Sequence, residues 1–225
     1  MNNTLAYSII TIPDFETGAK LHDLQNLDNK GAAKALFHLQ AQKTGDECLP
    51  SYLQQIVAIA IVLSDESGKI QTTILNDDSE ANNLNTFFDI IQQYQPTLVT
   101  WDGDNFSSEV INYRCIKQAV QIAPHYAEKA NHFNLNEALV SSTAKTSIDE
   151  IATLLGLPSE ENKDSRSIWE SYLAEDFDNL YRYCEGNAMN SYQIYLRYQL
   201  THGKIDDKTY AGLMGECVDK GFSDE

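Results

Sequence analysis

The sequence predicts an α/β domain: a mixed sheet with helices packed against it. Three observations carry this reading. Two strand-length apolar segments and a hairpin return lie in the first third of the chain. Gln54–Leu63 (QQIVAIAIVL) is a continuous apolar run, the pattern of a strand buried on both faces. After residue 78 the chain turns to helices alternating with strands, which favours parallel pairing through crossovers.

In chain order, Leu5–Ile12 is β-branched and of strand length, and Pro13 closes it because proline cannot donate to a ladder. Lys30–Lys43 places Ala33, Leu36, Phe37 and Leu39 at helical spacing. Asp65-Glu66-Ser67-Gly68 is turn chemistry, so Lys69–Leu75 returns as the second half of a hairpin with Gln54–Leu63. Ser79 can cap a helix carrying Leu84, Phe87, Phe88, Ile90 and Ile91. Thr97–Trp101 is a short strand, Phe106–Ala119 a helix, and His132–Leu135 a weak fifth strand. Thr146 and Asp149 resemble a capping box opening a helix that ends at Gly156. Ser167–Leu173 is helical. Asp176–Leu200 is a long helix whose stripe of Phe177, Leu180, Cys184, Ala188, Tyr192, Tyr195 and Leu196 marks a core face. No linker rich in Pro, Gly or Ser divides the chain. Residues 1–214 therefore read as one domain, with 215–225 an acidic, flexible tail.

The 33 acidic residues against 16 basic ones leave a net charge of −17. That balance argues against broad nucleic-acid binding, in which basic side chains displace counterions from phosphates. A protein or small-molecule partner is at least as well suited to it. The cysteines at 48, 115, 184 and 217 are scattered, without a CxxC pair. They read as thiols of a reducing cytosol, not as a zinc or disulfide framework. The N-terminal segment lacks a basic n-region, and no apolar stretch approaches the roughly 20 residues of a membrane span. The expectation is a soluble, cytoplasmic protein with no membrane contact.

Three groups of residues attract attention as chemistry. Asp14 and Glu16 are two carboxylates at i and i+2, an arrangement that can hold Mg²⁺ or Mn²⁺ if the segment is extended. They follow Pro13, however, after the strand has closed, and a solvated loop is the competing reading. Asp102, with Asp104 nearby, lies at the C-terminal end of a predicted parallel strand, where open sheets place their sites. The competing reading there is a turn with Asp104 or Asn105 capping the next helix. Tyr183 and Asn187 share a helix face, with Ser191 a turn further, and plain packing is the alternative for them.

At these residues the chain resembles the predicted 3′–5′ exonucleases related to the proofreading domain of family B DNA polymerases, within the DnaQ-like (DEDD) superfamily of ribonuclease H-like fold. The resemblance rests on TIPDFETG, KALFHLQAQKTG, LPSYLQQIVAIAIVL, PTLVTWDG, SIDEIATLLGLP, SIWESYLAEDFDNLYRYCE and NSYQIYLRYQL, in that order. It implies a five-stranded mixed sheet flanked by helices. It also implies a site in which carboxylates bind two metal ions and hydrolyse nucleic-acid ends. Here the departures are informative. The family's Asp-x-Glu positions in strand one are Ser8 and Ile10. Its Asn-Gly-x-x-Phe-Asp is Asp102 to Ser107, with Ser107 at the metal-binding position. Its Tyr-Cys-x-x-Asp keeps Tyr183 and Cys184 but ends in Asn187.

All four metal carboxylates that the resemblance assigns are thus Ser, Ile, Ser and Asn. The expectation is a pseudo-exonuclease without a cofactor. Its vestigial site would be Ser8, Ile10, Asp102, Ser107, Tyr183 and Asn187, and its partner single-stranded nucleic acid, a nucleotide or a protein of DNA or RNA metabolism. One alternative is an active enzyme whose Mg²⁺ or Mn²⁺ is held by relocated acids: Asp14, Glu16, Asp102, Asp104 or Glu185. Another is a structural subunit whose former cleft is filled by side chains.

Overall fold

The computed structural model describes residues 2–102, 106–139, 146–159 and 163–218. Among them, β1 (Thr4–Pro13), β2 (Gln54–Ser64), β3 (Ile70–Leu75), β4 (Thr97–Thr100) and β5 (His132–Asn134) form one sheet in the order β3-β2-β1-β4-β5. The helices are α1 (Phe15–Leu21), α2 (Asn29–Thr44), α3 (Glu80–Tyr94), α4 (Ser107–Gln118) and α5 (Pro124–Ala127). They continue with α6 (Leu135–Leu139), α7 (Ile148–Leu155), α8 (Ser165–Leu173), α9 (Phe177–Thr201) and α10 (Asp207–Val218). β2 pairs antiparallel with both β1 and β3, whereas β1–β4 and β4–β5 are parallel. The mixed five-stranded sheet and flanking helices are those expected of a ribonuclease H-like fold.

Alternation along the strands sorts two cores. Ala6 and Ile10 of β1, with Ala58, Ala60 and Val62 of β2, pack on Leu180, Cys184, Ala188 and Tyr192 of α9. Leu5 and Tyr7, with Ile59, Ile61 and Leu63, face Leu84, Phe87, Ile91 and Val110 of α3 and α4. Small residues on the α9 side let that helix lie close to the sheet. The thiol of Cys184 reaches the Ser8 carbonyl at 3.5 Å. The ladder slips between Ile10 and Thr11, which pair with Ala58 and Ile56, so Val57 is the extra residue. Such a bulge reverses the side-chain faces beyond it, and Ile56 accordingly joins the α3–α4 core although Ala58 faces α9.

Several local expectations are corrected. The segment after Pro13 is helical: Asp14 caps α1, accepting from the Thr17 N–H at 3.1 Å. The capping box of α7 sits one residue later than Thr146 and Asp149. Ser147 is the N-cap, the Glu150 N–H donates to its Oγ at 3.2 Å, and the Ser147 N–H donates to Glu150 at 2.8 Å. Glutamate reaches back across the turn better than the shorter aspartate. The expected tail does not start at Gly215, because α10 continues to Val218 and Cys217 is fully buried in the α9-side core. Residues 219–225 lie outside the described residues. The stripe on α9 is core as expected, and no described cysteine forms a disulfide. No described helix is long and apolar enough to cross a membrane.

Candidate functional site

The parallel pair β1–β4 opens a crevice at the carboxyl ends of its strands, the usual place for ligands in an α/β sheet. Ser8, Ile10, Asp102, Ser107, Tyr183 and Asn187 all line this one cleft, whose volume is about 700 Å³. Four elements bring them together. β1 supplies Ser8 and Ile10, the end of β4 leads to Trp101 and Asp102, the first turn of α4 presents Ser107, and α9 carries Tyr183, Asn187 and Ser191. An open cleft bordered by Ser8 counts against the alternative of a structural subunit whose former cleft is filled by side chains.

Ser107 Oγ donates to Asp102 Oδ1 at 3.1 Å. Burial pushes the Asp102 carboxyl above its ordinary range, and the Ser107 hydrogen bond opposes that rise only in part. Ile10 is 1% exposed and belongs to the α9-side core. Tyr183 is buried, with its hydroxyl accepting from the Lys163 backbone N–H at 3.3 Å. Burial raises its pKa, while the Asn187 side chain, hydrogen-bonded to it, pulls the other way. Tyr183 is therefore packed, and it also lines the cleft. Phe106 occupies the N-cap position of α4 without a side-chain cap. Asp104 and Asn105 lie outside the described residues.

Asp14 and Glu16 are elsewhere. They border a separate cavity of about 520 Å³ with Arg114 and Lys117 of α4. Asp14 is 2% exposed, which corrects the solvated loop. Arg114 Nη1 donates to Asp14 Oδ2 at 2.5 Å and Lys117 Nζ donates to the same oxygen at 2.6 Å. Arg114 also grips Glu80 bidentately, at 2.7 and 2.6 Å. Burial alone would raise the Asp14 pKa; hydrogen bonds from Lys117, Thr17 and Arg114 outweigh it and hold the carboxyl at about 2. Glu16 is exposed and pairs with Lys20. Glu185 does not border the cleft. The alternative metal set is thus divided: Asp102 stands in one cavity, Asp14 and Glu16 in another. Among the described residues, no three His, Cys, Asp or Glu side chains converge as a metal would require.

Sequence reasoning missed the far wall of the cleft. Asp46, Glu47 and Cys48 follow α2, Asp149 lies in the first turn of α7, and Lys163, Asp164 and Arg166 lie around the start of α8. Arg166 joins Glu47 through two hydrogen bonds, Nε to Oε2 at 2.8 Å and Nη2 to Oε1. The partners are 119 residues apart in sequence, and no local pattern joins them.

The family model for a predicted 3′–5′ exonuclease related to the exonuclease domain of PolB matches residues 46–220. Asp102, Ser107, Tyr183 and Asn187 fall inside that match; β1, with Ser8 and Ile10, precedes it. No curated protein matches the chain.

Proposed function

The chain belongs to the predicted 3′–5′ exonucleases related to the exonuclease domain of PolB, and from that premise we propose that it no longer hydrolyses phosphodiesters and acts by binding in the cleft. The observation that carries this reading is the donor set around Asp102. Two-metal hydrolysis needs hard, anionic oxygen ligands to hold two cations, activate water and stabilise the leaving oxygen. Ser8, Ser107 and Asn187 are neutral, Ile10 offers hydrocarbon, and Asp102 is the single carboxylate among the six. Residues of this kind do not fit a pair of divalent ions, and no Mg²⁺ or Mn²⁺ enters the proposed role.

A retained cleft of this size suits the end of a single strand, a nucleotide or a segment of a protein of DNA or RNA metabolism. The test is digestion of 5′-labelled single-stranded DNA and RNA with Mn²⁺ and with EDTA, beside an Asp102→Ala variant. The expected result is no shortening above that variant. A Mn²⁺-dependent ladder that vanishes in Asp102→Ala would overturn the proposal and return the acids to a catalytic role.

A further inference from the structure

We propose that the cleft receives an organic cation: an ammonium or guanidinium group on an apolar stem, carried by a lysine or arginine side chain or by a free polyamine. This deepens the preceding reading and rests on the cleft being a retained binding site.

Charge is the first argument. Five acidic side chains line the described cleft, namely Asp46, Glu47, Asp102, Asp149 and Asp164, against two basic ones, Lys163 and Arg166. Both cations are engaged. Arg166 is held by Glu47, and Lys163 Nζ lies 5.8 Å from the centre of the Tyr183 ring. Asp164 is firmly anionic, because the Ser167 N–H and Oγ donate to it at 2.7 and 2.6 Å and hold its pKa down. A phosphate backbone gains affinity by exchanging counterions for basic side chains, and among the described residues this cleft sets only Lys163 and Arg166 against five carboxylates.

Shape and lining are the second, independent argument. A cavity of about 700 Å³ holds a drug-sized molecule or a few side chains. Trp101 and Phe106 border it, and aromatic faces beside carboxylates attract ammonium and guanidinium groups through the ring quadrupole. The apolar stem would lie along Ile148 and Ile168 on the same wall.

The experiment is calorimetry at low salt with three probes: a short Lys/Arg peptide, spermidine and a single-stranded oligonucleotide. Because a protein of charge −17 attracts any polycation, two charge-matched variants are compared. Asp149→Asn/Asp164→Asn removes two charges in the cleft and keeps a capping side chain at 164. Glu66→Gln/Asp78→Asn removes two exposed charges elsewhere. The expected result is cation binding weakened about tenfold or more by the first pair and little by the second. Peptide without spermidine assigns the cation to a protein segment; spermidine alone assigns it to a free amine. Equal weakening in both variants, no cation binding, or oligonucleotide binding alone would each overturn the proposal. Cys48 is the exposed cysteine and lines the cleft, so bound cation should slow its alkylation; an unchanged rate beside measurable binding would place the ligand elsewhere. Mn²⁺-dependent cleavage, by contrast, would sink the preceding reading, which these titrations do not address.

Discussion

Ser107 donates to Asp102 across the first turn of α4, Oγ to Oδ1 at 3.1 Å, at the point where β4 empties into the cleft. Burial holds that carboxyl above its ordinary range, and the serine, together with a backbone hydrogen bond, opposes the rise. Ser107→Ala should therefore move the Asp102 titration further up, read by carboxyl-carbon NMR against pH. An unmoved titration would show that the serine does not stabilise the carboxylate.

If the donor set alone explains the proposed loss of hydrolysis, restoring it should restore ion binding. The variant Ser8→Asp/Ile10→Glu/Ser107→Asp/Asn187→Asp should take up Mn²⁺ in calorimetry where the parent does not. In EDTA it should be less stable than the parent. Position 10 is 1% exposed, and an unpaired buried carboxylate costs on the order of several kcal/mol even after its pKa adjusts. Failure to bind Mn²⁺ would mean that the backbone around β1 no longer has the required geometry.

Arg114 is the hub of a buried network in which it bonds Asp14 and Glu80 together. Arg114→Ala removes the buried cation that both carboxylates share and should cost roughly 3–5 kcal/mol in urea unfolding. Lys117→Ala should cost less, because Lys117 is about one-third exposed and screened by water. Equal costs would contradict the hierarchy.

Asp14 links the same network to pH. Its carboxyl lies at about 2 in the folded chain, below the ordinary 3.8. A depressed carboxylate binds fewer protons folded than unfolded, so its contribution is full above about pH 4 and is lost as the pH falls towards 2. Acid unfolding monitored by circular dichroism should show this slope, and Asp14→Asn should flatten it.

The capping register of α7 is tested by two serine-family substitutions. Ser147→Ala removes the N-cap oxygen and should cost about 1 kcal/mol. Thr146→Ala, one residue earlier, should be nearly neutral. The reverse order would restore the earlier register.

Strands β1 and β2, the Ser79 cap and the buried stripe of α9 were legible in the sequence because each is a local pattern. Period two, period 3.6 and turn chemistry are written within a few residues of one another. The β2–β3 hairpin followed from its turn residues 65–68, and the family resemblance drew attention to the six positions that meet in the cleft. What lay beyond the sequence depends on partners distant along the chain. Asp14 reads as a loop carboxylate until Arg114, one hundred residues later, desolvates and pairs with it. On the far wall of the cleft Glu47 and Arg166 meet across 119 residues, and Trp169 of α8 packs with Ala33, Leu36 and Phe37 of α2. Local propensity fixes which segments fold into elements. Burial and charge pairing between elements decide which carboxylates are neutralised inside the fold and which are left facing the cleft.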